Sequence, residues 1–365
     1  MNRRPNMSRS GYDAFSPRHA GHFTAATPGH DFFDIRKKKP LHIRLALCFF
    51  LFILSVLAVN GVVNQFVHVR RIQVPVTGLS EEFDGYTLLH ISDLKGKSFG
   101  SDQRLFAAAL RKCEFDAAVI TGDMISSLGN AQPFYALIDA LKGQGNAPVY
   151  FIPGDSDPPV TSDAYFTGGS PFAPWVLGAQ QRGAHLLSAP VAVTRDEQTL
   201  WLTTSSQLNL DLDTMQGQFE LHYLSALSSD DENAVELAAY NLSWLEQTRA
   251  ARKAMTDQDA VVTLMHAPPT QDDLLAQIDL ILCGHVMGGV MRLPFAGPVF
   301  MPSSSLPRYG LFPGPRMHTG LNRQNRTQVY VSPGLGSSSD EYPPFFFRLF
   351  NPPVITLITL TPSSI

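Results

Sequence analysis

The chain has 365 residues, with 28 Lys and Arg against 32 Asp and Glu and a formal net charge of −4. That length holds one large domain or two small ones. With 16% charged residues and no Lys/Arg cluster beyond the N-terminal third, it lacks the basic stripe of a nucleic-acid binder, so none is expected as a partner.

Met1 to about Asp34 is rich in Gly, Pro, Ser, His and Asn and has no apolar period. Residues 1–40 therefore read as a disordered tail. His19, His22 and His30 are too irregularly spaced to make a metal motif. Leu45–Val67 follows as 23 residues without a charge, enough to cross a hydrocarbon core of about 30 Å. Arg36, Lys37, Lys38, Lys39 and Arg44 precede it, and only Arg70 and Arg71 follow closely. The bias predicts a single-pass protein of the cell membrane, anchored through residues 41–67, with a cytoplasmic N-terminus and an extracytoplasmic main domain. Asn60 and Asn64 weaken the last turn, so the span is expected to end near Val63. Val56-Leu57-Ala58 would suit signal cleavage, but the segment before the apolar run is far longer than a usual n-region. An uncleaved anchor is the preferred reading.

The main domain is expected over residues 72–365. Ile72–Val76 and Tyr86–Ile91 read as strands joined by a polar turn at Asp84-Gly85. Gln103–Lys112 places Leu105, Phe106, Ala109 and Leu110 on one helical face. A strand at Ala117–Ile120, a helix at Gln132–Leu141, a loop at Gly143–Ala147 and a strand at Val149–Ile152 follow. This alternation predicts a sheet with parallel crossovers. Residues 158–190 are rich in Pro, Gly and Ser and give no assignment. Pro190–Thr194 and Thr199–Thr204 read as a hairpin. Asp231–Met255 is the longest helical pattern, with Asp230, Asp231 and Glu232 suited to its N-terminus. Ala260–Leu264 and Leu280–Cys283 return to strand. After Gly297 the chain is loop-rich, with late strands at Val329–Val331 and Val354–Leu360. Cys48, Cys113 and Cys283 are odd in number and scattered, which gives no disulfide framework; Cys113 and Cys283 read as small core residues. The pattern alone gives α/β or α+β.

Five short segments carry the chemistry: His90-Ile-Ser-Asp93-Leu-Lys95, Thr121-Gly122-Asp123, Pro153-Gly154-Asp155-Ser156-Asp157, Met265-His266-Ala267 and Gly284-His285-Val286-Met287-Gly288. Each follows an apolar run of strand length. Acids and histidines placed just past buried strands converge at one edge of a sheet, where open α/β folds build their sites. Asp and His together suit a hard or borderline divalent cation. Gly288, Gly289, Gly334 and Gly336 are expected in tight loops nearby. No phosphate-binding G-x-G-x-x-G or P-loop lysine and no G-x-S-x-G elbow is present.

From about Tyr86 to Leu360 the order resembles the calcineurin-like metallophosphoesterase family, whose pattern is D-x-H, G-D, G-N-H, a lone H, then G-H-x-H. Asp93, Gly122-Asp123, Gly154, His266 and Gly284-His285 match. Lys95 stands in place of a metal-binding His, Asp155-Ser156 in place of Asn-His, and Met287 in place of the last His. The resemblance implies an α/β (α+β) sandwich of two facing sheets with helices outside.

It also implies two metal sites. The first would keep Asp93 and Asp123 but has Lys95 and Met287 where His is needed. A charged ammonium has no lone pair, and a thioether suits Mn, Zn or Mg poorly. That site is expected to be lost, with Lys95 either pairing with Asp93 or Asp123 or turning to solvent. The second, at Asp123, Asp155, His266 and His285, keeps four good donors and is expected to hold one Mn, Zn or Fe ion, unless the histidines simply bond the acids. Asp93 and Lys95 are the catalytic candidates, and Lys95 and Ser156 would meet substrate. One cation and Lys95 against three carboxylates leave the site near neutral, poor for phosphoryl transfer. In the family a His at the Ser156 position protonates the leaving oxygen, which a serine does poorly; Asp157 is expected to cap a turn before Pro158. Two readings stay open: a membrane-anchored extracytoplasmic phosphoester or phosphodiester hydrolase acting on lipid-linked or cell-wall substrates, or an inactive relative kept as a binding or structural module.

Overall fold

The computed structural model describes residues 41–126, 129–161, 171–229, 231–270, 277–289, 291–293, 297–301, 310–313, 319–337 and 348–363. The chain divides into two units, residues 1–51 and 52–365. Of the first, Leu41–Leu51 is described: apolar helix with its side chains exposed. The expected tail and its histidines lie outside the described residues.

Helix α1 runs Leu41–Val63. It is long and apolar enough to cross a membrane. It starts four residues before the 45–67 apolar run and ends at Val63, where the span weakened by Asn60 and Asn64 was expected to end.

The second unit is built on two six-stranded sheets. One contains β1 (His68–Val76), β2 (Thr87–Ile91), β3 (Ala117–Thr121), β4 (Val149–Ile152), β5 (Ala184–Leu186) and β16 (Val354–Pro362), ordered β1-β16-β2-β3-β4-β5. β2 to β5 pair in parallel, and β16 runs antiparallel to β2. The other contains β6 (Val191–Arg195), β7 (Gln198–Thr204), β8 (Ala260–Leu264), β9 (Leu280–Cys283), β14 (Gly320–Gln324) and β15 (Thr327–Val331), ordered β14-β15-β9-β8-β7-β6. β7, β8, β9 and β15 run parallel. Short ladders of two residues, β10 (Arg292–Leu293) with β11 (Gly297–Pro298) and β12 (Phe300–Met301) with β13 (Gly310–Leu311), lie between β9 and β14 in sequence.

Strand alternation sorts side chains to two faces. Leu88, Val119, Leu202, Val262, Leu282, Tyr330 and Ile358 pack together between the sheets. Leu89, Ile91, Ala118 and Ile120 face outward against α2 (Arg104–Leu110), α3 (Gln132–Lys142) and α4 (Pro174–Gln181). Trp201, Val261, Ile281 and Val329 form the outer core of the other sheet. The facing sheets flanked by helices agree with the expected architecture.

Several local expectations need correction. The helix expected from Gln103 starts at Arg104 and ends at Leu110. Gln103 itself is left-handed (φ 56°), and its buried side chain accepts from Phe99 N and donates to Lys97 O and Pro133 O. Among the elements not anticipated are α4 and β5 within 158–190, the short α5 (Ser205–Asn209), α6 (Leu212–Leu227) and β14. The long helix α7 spans Glu232–Ala254 with Asp231 as its N-cap, accepting from Asn233 N and Ala234 N; Asp230 lies outside the described residues. Cys113 and Cys283 are buried thiols, and Cys48 is exposed.

Candidate metal centre

The carboxyl ends of β2, β3 and β4 meet those of β8 and β9, and each delivers one of the five motif segments. The chain must turn sharply at each exit. Asp93, Lys95, Asp123, His285 and Met287 all adopt left-handed backbone, with φ between 46° and 66°. Such strain in non-glycine residues costs about 1–3 kcal/mol each and clusters where a site is built. Glycines let the loops touch. A Cβ on Gly284 would strike Ser92 Oγ and Asp93 Oδ2, and one on Gly154 would strike Asp123 N. Gly334 and Gly336 pack on Asp93 and Leu94 in the same way.

Asp123 is the hub. Its Oδ1 accepts from Ser156 N and Ser156 Oγ, both at 2.8 Å. Its Oδ2 lies 2.6 Å from Lys95 Nζ and 3.1 Å from His266 Nε2. Lys95 also donates to Ser156 Oγ at 3.1 Å. Burial alone would lift the Asp123 carboxyl, but the bonds and charges of His266 and Lys95 hold it below the usual carboxylate range. Burial opposes charge on His266 too, yet Asp123, Asp93 and the Thr121 carbonyl raise it to about 9.

His266 is aimed by the main chain. Its Nδ1 donates to Thr121 O at 2.8 Å, which turns Nε2 toward Asp123. His285 Nδ1 stands 3.2 Å from His266 Nε2 and 3.3 Å from Asp155 Oδ2. Ligand atoms of Asp123, His266 and His285 all lie within 4.8 Å of one another. Donors about 2.0–2.1 Å from a tetrahedral ion sit about 3.4 Å apart, close to the observed 3.1 and 3.2 Å. The donor set therefore fits one divalent ion. Asp155, with its side chain 71% exposed, borders the group from the solvent side.

The residues that the resemblance assigns to a second ion are Asp93, Lys95, Asp123 and Met287. Lys95 Nζ is against Asp123 and 10% exposed, so of the alternatives for this lysine the structure has the pairing with Asp123. Asp93 is fully buried. Its oxygens accept from His285 N, both at 3.1 Å, and from Ser92 Oγ at 2.6 Å. Burial pushes its carboxyl up, against the opposing charge of His266. Met287 is buried, and its carbonyl accepts from Asn351 Nδ2.

Three supporting groups escaped the sequence. The Thr121 carbonyl aims His266, and the Ser92 hydroxyl satisfies Asp93. Asp157 does more than cap a local turn: its carboxylate accepts from Asp123 N, Met124 N, Ile125 N and Gly154 N at 2.8–2.9 Å. Main-chain partners leave no side-chain signature, so only the acid after Gly154-Asp155-Ser156 could have hinted at this clamp. Burial raises the Asp157 carboxyl, the amides lower it, and both oxygens are spent on the loop.

Residues 86–289 match the calcineurin-like phosphoesterase family. Among solved structures, the chain is similar to the phosphopantetheinyl hydrolase of Mycobacterium tuberculosis, at 13% identity over 69% of this chain and 91% of that one, with a TM-score of 0.34. It is also similar to TT1561 of Thermus thermophilus, at 10% identity over 68% and 90% of the two chains, with a TM-score of 0.35. No curated protein matches it.

Proposed function

Because this chain belongs to the calcineurin-like phosphoesterase family, a metal-dependent hydrolase kind, we propose that it is a one-metal phosphoester or phosphodiester hydrolase. One observation carries the reading: the donors of Asp123, His266 and His285 converge within 4.8 Å, while Lys95 Nζ fills the neighbouring place beside Asp123. Asp155 is the fourth candidate ligand. A bound Mn, Zn or Fe ion supplies positive charge that polarises a phosphoryl oxygen and acidifies water.

The residues have separate tasks. Thr121 holds the His266 ring so that Nε2 presents its lone pair once the proton leaves. Lys95 offers a fixed cation for a substrate oxygen, partly replacing the charge of a second ion. Ser156 holds Asp123 in place and can donate its hydroxyl hydrogen to substrate. Asp93 anchors the His285 main chain from below and keeps that loop in register. No imidazole stands at Ser156 to protonate the leaving oxygen, so substrates with good leaving groups should turn over best.

The helix at Leu41–Val63 supports an anchor. Five basic residues before the apolar run and two after it support a cytoplasmic N-terminus and an extracytoplasmic domain. Lipid-linked or cell-wall phosphoesters would then be within reach.

A second reading has its own observation. Both oxygens of Asp123 are already satisfied by Ser156, Lys95 and His266, as in a metal-free module that binds without turning over. The test is elemental analysis of the purified full chain, with aryl phosphodiester hydrolysis measured under added Mn²⁺ or Zn²⁺. About one ion per chain with turnover, both lost in His266→Ala, supports the hydrolase. No ion and no turnover supports the binding module.

A further inference from the structure

Beside the metal centre lies a cleft of about 710 Å³ that reaches His266 and Met265 at its inner end. That volume falls within the roughly 300–1,000 Å³ of small-molecule sites. Phe172, Met215, Phe219, Tyr240, Trp244 and Leu264 supply its apolar walls. The aromatics hold one another: Phe172 packs edge-on against Tyr240 at 5.5 Å, and Phe219 lies tilted against Trp244 at 6.2 Å.

The polar side chains in the wall are mostly spent. Gln207 donates to Leu187 O and accepts from Thr204 N and Thr203 Oγ1. Trp244 Nε1 donates to Ser188 O, and Asn209 donates to Ser205 Oγ. Thr161, Ser188, Ser206, Tyr240 and Asn241 add hydroxyls and an amide along the wall. A nucleobase would need each of its donors and acceptors matched by one of these few groups, at a cost of about 1–3 kcal/mol for each left unpaired. A hydrocarbon chain needs none. The wall helix α6 adds a second observation. It turns Met215 and Phe219 toward the cleft and exposes Leu221, Leu224 and Leu227, each 54–68% accessible, on its outside. These leucines leave apolar side chains exposed on the outside of the wall helix.

We propose that the cleft is a subsite for the hydrocarbon chain of a membrane-borne phosphoester, whose phosphate is placed at His266 and Lys95. The inference rests on the hydrolase reading for the chemistry at phosphorus, not for the binding of the chain.

The test uses the full chain in lipid nanodiscs with ethyl, butyl, hexyl and octyl phosphate as probes. Binding is followed by calorimetry, and hydrolysis by release of p-nitrophenol from the matching alkyl aryl phosphodiesters. Affinity should rise by about fourfold per methylene, the equivalent of about 0.8 kcal/mol. Phe219→Glu and Met215→Glu, on a half-exposed helix, should flatten that slope; the same nanodiscs control for partition into lipid. Phosphatidic acid in the nanodisc should compete with octyl phosphate. A slope without turnover would uphold the cleft and sink the hydrolase. Turnover without a slope would overturn the cleft alone. So would an unchanged slope in both variants, adenosine monophosphate binding more tightly than octyl phosphate, or no competition from phosphatidic acid.

Discussion

The Lys95 ammonium lies 2.6 Å from Asp123 Oδ2, at the place where family resemblance puts a metal-binding histidine. A fixed +1 charge at that place would disfavour a metal ion there. Putting back the imidazoles should reverse this. The combined variant Lys95→His, Asp155→Asn, Ser156→His and Met287→His is expected to raise metal content from about one to about two ions per chain. Hydrolysis of an aryl phosphodiester should rise by about a hundredfold, the scale of one well-placed electrostatic group. Elemental analysis and initial rates check both. A second ion without a rate gain would mean that the loops have drifted from catalytic geometry, and would count against the hydrolase reading.

Asp157 ties the β3 exit to the β4 exit through four amide hydrogen bonds. In Asp157→Asn one accepting oxygen becomes an NH₂ that faces two donors. Charge-assisted bonds contribute about 1.5–3 kcal/mol each, so a loss of about 2–4 kcal/mol is expected by denaturant titration. Because Asp123 N is among the amides released, metal affinity should fall as well. A variant with full stability and weakened metal binding would show that the clamp serves the site alone.

Two buried histidines give opposite pH limbs. His90 is fully buried between the sheets, with Nε2 2.9 Å from Thr121 Oγ1, and burial lowers it to about 3. The unfolded chain takes up a proton near 6.5, so stability from this group is present above 6.5 and is lost as pH falls toward 3. The span is on the order of 4–5 kcal/mol. His266 is raised to about 9 despite burial, through Asp123 and Asp93. Its contribution is present below 6.5 and is lost as pH rises toward 9, on the order of 3 kcal/mol. Urea unfolding across pH with metal chelated should show His90→Leu flattening the acid limb and His266→Gln the alkaline limb. Parallel curves for His90→Leu and the parent chain would refute the first assignment.

These groups also mark what the sequence could and could not say. Strands β2, β3, β4, β8 and β9 were legible because each is a short apolar run with Gly, Asp or His within two residues of its end, whereas the three-residue β5 sits in a Pro-, Gly- and Ser-rich stretch and was not. The same rule located Asp123, His266 and His285 together. Helix α6 was not legible because its leucines face outward and its polar residues are spread around the axis, so no apolar period points to the core. Gln103 carries the helix pattern of its neighbours, yet its side chain folds back onto Phe99, Lys97 and Pro133. Thr121 acts through a carbonyl and Asp157 through amides, interactions common to every residue type. The sequence shows which side chains could bind an ion; which main-chain atoms aim them depends on the fold.

Asn60 and Asn64 separate two accounts of the end of α1. As members of a membrane helix they are liabilities, and leucines there should be neutral or better. In the structure both side chains donate to Arg348 O, and Asn60 Oδ1 accepts from Phe350 N. Lys97, lowered to about 8 by burial and by Arg348, donates to Asn64 O at 2.9 Å and caps the same turn. Arg348 is itself buried and holds the carbonyls of Pro333 and Gly336, and Asn351 holds those of Met287 and Gly289 beside His285. The double variant Asn60→Leu/Asn64→Leu leaves Arg348 O and Phe350 N short of partners. It should cost about 2 kcal/mol and loosen the His285 loop. Denaturation and metal titration of the full chain decide the matter: unchanged stability would make the two asparagines ordinary helix residues, whereas a loss of both stability and metal affinity would make the end of α1 part of the domain that builds the site.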